Sequence, residues 1–155
     1  MVFAKKCFEL FGDRVKHWTT FNEPMVVVEG QYLYKFHYPR IVDGKKAAQV
    51  MYNLNLASAK AIKAFREIGC NKNGGQIGII LNLTPAYPRS DSKEDLEAAK
   101  IADSYFNTSF LDPAVKGHFP EVLVEILEKD NVMWESTKEE LEIIKSNTID
   151  FLGVN

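Results

Sequence analysis

The chain of 155 residues is short of cysteine: Cys7 and Cys70 are its only two, far apart and in no CxxC pair. A disulfide scaffold or thiolate metal cluster is therefore excluded, and a reducing compartment is the simpler setting. Histidine is as sparse. His17, His37 and His118 show no metal-ligand spacing, so neither a metal site nor a cofactor is expected. No apolar run reaches the ~18 residues of a membrane span. The stretch MVFAKKCFELFGDR has neither the unbroken apolar core nor the small-residue cleavage site of a secretion signal. A cytoplasmic protein is expected. Charge of one sign is missing too: the formal net charge is −2, which argues against nucleic acid or a membrane surface as partner. Repeats, low-complexity tracts and linkers are absent, so a single domain spanning residues 1–155 is expected.

What is present is ordinary globular composition, 46% hydrophobic and 26% charged, enough to bury a core at this length. Helix-period and strand-like segments alternate. Ala4 to Phe11 reads as the end of an amphipathic helix, with Phe3, Cys7, Leu10 and Phe11 on one side and Gly12 as its stop. Val15 to Phe21 is aromatic and β-branched, as a strand should be. A long connection follows, with a short helix near Met25 to Gly30. From Lys45 to Ile68 the apolar positions Ala47, Val50, Leu54, Ala57, Ala61, Ala64, Phe65 and Ile68 keep a 3.6-residue period and predict a helix. Gln76 to Leu83 is nearly continuous in apolar residues, which predicts a strand buried on both faces. Ser92 is placed to cap a helix running to about Asn107. Further helices fit Pro120 to Lys129 and Thr137 to Lys145, and IDFLGVN closes the chain as a third strand. The order is that of an α/β fold with about three parallel strands joined by helical crossovers.

One pentapeptide stands out. Thr20, Phe21, Asn22, Glu23 and Pro24 place an amide and a carboxylate at the end of an apolar strand. Successive strand residues point to opposite faces, so Asn22 and Glu23 cannot share a pocket from a regular strand. Pro24 removes a ladder donor and favours extended or polyproline-like geometry at Glu23, so the strand is expected to end or bulge there. A simple alternative is that Asn22 or Glu23 caps the next helix. His17 and Trp18 read as packing residues, His37 and His118 as surface residues. Tyr87 and Arg89, after the second strand, are placed to face a sugar or merely to close a loop.

FGDRVKHWTTFNEP resembles the fourth-strand signature of family-1 glycoside hydrolases. The likeness runs on through NLASAKAIKAFRE, GQIGIILNLTPAYP and IDFLGVN, and LNLTPAYPRSDSKEDLEAAKIAD and HFPEVLVEILEK resemble the 6-phospho-β-glucosidase branch. The resemblance implies part of a TIM (β/α)8 barrel, its strands four to six, with the active site at the carboxyl ends of the strands. It implies Glu23 as general acid/base, for which an apolar setting that holds a carboxyl proton is suited. Asn22 is implied to contact the sugar 2-hydroxyl, and Asn155 to stand near the leaving-group side; as the last residue, Asn155 is also expected to be disordered. The implied substrate is a β-glucoside or 6-phospho-β-glucoside.

A retaining glycosidase needs a second carboxyl group ~5 Å from the first, and no T-E-N-G-like segment supplies one here. The chain is therefore expected to be a fragment, inactive unless completed. A partial barrel also leaves its outer strands unpaired, so a homo-oligomer formed through open sheet edges is expected. Two other classes remain alongside the enzyme: a non-catalytic, self-associating barrel remnant, and a sugar-phosphate binding module.

Overall fold

The computed structural model describes residues 2–155. Helix α1 (Val2–Phe11) leads into strand β1 (His17–Asn22), and α2 (Pro24–Tyr32) and α3 (Gly44–Ile68) carry the chain back to β2 (Gln76–Leu81). Then come α4 (Lys93–Asp103), a π-helical turn (Ser104–Thr108), α5 (Ser109–Val115), α6 (Glu121–Lys129), α7 (Lys138–Ser146) and β3 (Phe151–Val154). The three strands form one parallel sheet in the order β1-β2-β3. Thus β2 is central, and β1 and β3 each keep one free edge.

Alternation along β2 sorts the sheet faces. Ile77, Ile79 and Leu81 are buried against the helices. Gln76, Gly78 and Ile80 turn to the other face, where the Phe151 ring of β3 lies across Gly78 and a side chain at Gly78 would collide with the Phe151 carbonyl. Helix α3 is the main support. Asp43 caps it, Gly69 ends it in left-handed geometry (φ 88°), and it buries Met51, Tyr52, Leu56, Ile62 and Phe65.

The apolar face of α1 differs from expectation. Phe8 is its buried residue, packed edge-to-face on Phe65 and Trp18, while Phe3 is 83% exposed and Leu10 and Phe11 lie at the surface. The helix is apolar on more than one side, and the position of α3 selects which side is covered. The helix starting at Ser92 also runs on past Asn107, through the π turn and α5. Pro113 lies inside α5 and cannot donate to the carbonyl four residues back. That carbonyl, of Ser109, accepts instead from the buried side chain of Asn55 at 3.2 Å. The second strand stops at Leu81 rather than Leu83, and the loop after it is held by Asn107, which donates to Thr84 O (2.8 Å) and accepts from Thr84 N (2.9 Å).

Tyr52 joins α3 to α7. Its ring stacks on Trp134 (5.6 Å between centroids) and its hydroxyl donates to Glu140 at 3.2 Å. Burial and the Glu140 charge push its phenol from the usual value near 10 up to about 12. The unfolded chain ionises this group near pH 10, so the contribution of Tyr52 is intact below pH 10 and is lost as pH rises through 12. Urea midpoints are expected to fall across that window, and Tyr52→Phe to flatten the fall. An unchanged slope in the variant would remove Tyr52 as the cause.

Candidate active site

Three features at the carboxyl end of β1 bring its polar residues together. The first is a bulge: Thr19 pairs with Gly78 and Asn22 with Ile80, so three residues of β1 span two of β2. Without the extra residue Asn22 would face the helices. With it, Asn22 returns to the open face of the sheet shared by Thr19, Gly78 and Ile80. The second is the backbone of Glu23, whose amide donates to Ile80 O at 2.8 Å and whose φ and ψ are 48° and 56°, left-handed. Extended geometry was expected here from the proline that follows. The contacts on either side of Glu23 override that local preference, and a glutamate in this region bears a strain of about 1–2 kcal/mol.

The third feature is the register of β3. Asp150 N donates to Ile77 O, and the Asp150 carboxylate accepts from Ile77 N at 2.9 Å and from Arg66 at 3.1 Å. This clamp sets Phe151 beside Gly78 and Val154 beside Leu81. Asn155 N then donates to Leu81 O at 3.0 Å, which aims its side chain at the end of β1. The Asn155 amide donates to Glu23 Oε1 at 2.7 Å and to Asn22 Oδ1 at 3.2 Å. The structure thus joins all three residues singled out in the sequence, and Asn155 is held by three hydrogen bonds where disorder was expected.

The capping alternative is decided by the same geometry. Glu23 occupies the N-cap position of α2 and Pro24 its first turn, yet the Glu23 side chain caps no amide. Its carboxylate turns to Asn155. It is half-buried rather than enclosed, and its neighbours are amides, a more polar setting than the apolar strand before it suggested. Chemically, a carboxyl group held at one oxygen by an amide keeps its other oxygen free to exchange a proton with a bound molecule.

His17 is exposed on the open face, edge-to-face with Phe151 at 6.1 Å, while Trp18 packs on Phe8 as expected. His37, His118, Tyr87 and Arg89 are all exposed. Among the described residues no cluster of three metal-ligating side chains occurs, and no helix is long and apolar enough to cross a membrane. Sequence reasoning missed the contribution of Thr20, whose hydroxyl reaches both Gly78 O (3.3 Å) and Ser58 (2.8 Å). No local signal marks it in the sequence, because its partners lie 38 and 58 residues away.

The chain is 58% identical over 153 residues to the 6-phospho-beta-glucosidase GmuD of Bacillus subtilis, covering 99% of this chain and 32% of that protein. It is 40% identical over 160 residues to a 6-phospho-beta-galactosidase of Clostridium acetobutylicum, covering 99% and 33% respectively. A solved beta-glucosidase from Thermotoga maritima, in complex with glucoimidazole, superposes with a TM-score of 0.85 at 36% identity, covering 99% of this chain and 34% of that one. The chain therefore spans about one third of the length of the relatives it matches, and its three parallel strands are a sector of their TIM barrel. The family model for glycosyl hydrolase family 1 matches residues 1–155, and the chain belongs to that family.

Proposed function

We propose that this chain carries the acid/base half of a retaining β-glycosidase site acting on β-glucosides or their 6-phosphates. The observation behind the reading is the convergence of Asn22, Glu23 and Asn155 at the carboxyl end of the sheet. Glu23 protonates the leaving oxygen and later takes a proton from the attacking water. Asn22 donates to the sugar 2-hydroxyl, a contact that strengthens at the transition state. Asn155 faces the leaving group. The 6-phosphate preference rests on the names of the two curated relatives. Both cysteines are free, which suits a reducing compartment and a cytoplasmic setting.

In this reading the second carboxylate, ~5 Å away in a retaining site, comes from elsewhere in a barrel, since the sequence holds no T-E-N-G-like segment. The test is a graft in which residues 1–155 replace the matched third of the Bacillus subtilis relative. Turnover of an aryl 6-phospho-β-glucoside is expected from the graft, and none above background from the isolated chain. A folded graft without turnover would overturn the reading.

We also propose that residues 1–155 behave as one unit that associates with itself. Among the described residues the outer edges of β1 and β3 are unpaired, and Leu152 and Val154 on β3 and Phe3 on α1 are exposed. Such edges template pairing. Sedimentation is expected to show mass rising with concentration; a monomer throughout, with no binding of an apolar dye, would refute self-association.

A further inference from the structure

Within the proposed acid/base reading, we infer that Thr20 and Ser58 form a register peg that positions Asn22 and Glu23. The two hydroxyls are 2.8 Å apart, and Thr20 Oγ1 lies 3.3 Å from Gly78 O. A hydroxyl donates one proton. Thr20 gives its own to the Gly78 carbonyl, so Ser58 donates to Thr20, and the chain of bonds runs from α3 through β1 to β2. Ser58 is buried on α3, the helix that packs on both strands, so the anchor is rigid.

The place of this peg gives it its consequence. Thr20 follows Thr19, the last residue in regular register with β2, and precedes the extra residue that carries Asn22 across to Ile80. If the peg is released, β1 is free to slide by one residue into regular pairing. That slip puts Phe21 on the open face, turns Asn22 toward the helices, and hands the Ile80 carbonyl to Asn22 in place of Glu23. Both contacts of Asn155 are then broken. Thr20 touches no bound molecule in this scheme: it is a positioning residue, acting through the bulge.

The test uses the labelled chain as it is and reads two signals by NMR. One is the cross-peak between the Asn155 side-chain amide and the Glu23 side chain; the other is hydrogen exchange of the Glu23 amide. The Ile77 amide, held by Asp150 at the other end of the sheet, serves as the control. Thr20→Val, which keeps the shape and removes the hydroxyl, is expected to abolish the cross-peak and speed Glu23 exchange about tenfold, the equivalent of one hydrogen bond. Ile77 exchange stays unchanged, and Thr20→Ser restores both signals. Retention of the cross-peak and of Glu23 protection in Thr20→Val overturns the proposal. Should that variant fail to fold, Ser58→Ala decides: faster Glu23 exchange with an unchanged Ile77 supports the peg, and unchanged Glu23 exchange refutes it. These outcomes do not depend on turnover. Undiminished turnover in a Glu23→Gln graft would remove the acid/base reading and leave the peg standing.

Discussion

Glu23→Gln in the graft is expected to lower turnover of 6-phospho-β-glucosides by about 10²–10⁴-fold, the range that a positioned general acid contributes. The amide keeps the shape of the carboxyl group and can still meet the Asn155 side chain, so the loss reads out proton transfer rather than packing. The size of the loss depends on what leaves. A nitrophenolate is stable as an anion and needs little protonation, whereas a sugar alkoxide needs a proton in the transition state. The fall in the first chemical step is therefore expected to be small for nitrophenyl substrates and large for disaccharide phosphates. Equal losses on both would assign Glu23 a role other than acid, and no loss on either would remove it from the chemistry.

Phe65→Ala is expected to cost about 3–5 kcal/mol, the range for deleting a buried aromatic ring. Phe65 is 0% exposed and packs edge-to-face on Phe8, which in turn meets Trp18. The three rings tie α1 and β1 to α3, so the cavity opens under the strand that carries the site. Domains of this size hold about 5–15 kcal/mol in total, so the variant sits close to unfolding. With a urea dependence of roughly 1–3 kcal/mol per molar, the midpoint moves down by about 2 M, and Trp18 reports it by fluorescence. A shift below about 0.5 M would show that this cluster is not the anchor of the N-terminal half.

Those rings also illustrate what was legible in the sequence. The long helix through Lys45–Ile68 followed from its period, but the stripe read from it was turned from the true one: Ala47, Ala64 and Phe65 are buried as read, Val50, Leu54, Ala57 and Ala61 are only half-buried, Ile68 is exposed, and Met51, Leu56 and Ile62 fill the core instead. Ser92 was visible as a cap and accepts the expected backbone amide, whereas Thr137, read as the first residue of a helix, is instead the cap of α7. The short first helix was harder. Its stripe of Phe3, Cys7, Leu10 and Phe11 pointed to one side, yet Phe8 is the residue buried, because the neighbouring helix decides which side is covered. Helix α5 was hidden by Pro113, since the compensating donor, Asn55, lies 54 residues before the carbonyl it serves.

The site divides in the same way. Asn22, Glu23 and Asn155 were identifiable from motif resemblance, and the end or bulge of the strand from the proline. The left-handed turn at Glu23 was not, because local rules favour the extended state and the contacts that reverse them come from β2 and β3. Thr20 escaped notice for a similar reason: nothing local to it shows that Ser58 and Gly78 converge there.

The left-handed glutamate has a consequence for how this sequence changes over time. Judged by folding alone, position 23 would be better served by glycine or asparagine, which enter that region of backbone space at little cost. Glu23→Gly would relieve about 1 kcal/mol of strain, and mutation alone would carry a lineage there once the carboxylate had no use. On the proposed acid/base reading the glutamate stands at a site suited to glycine because the chemistry needs its carboxylate, and its replacement would be the earliest mark that a descendant had abandoned that chemistry.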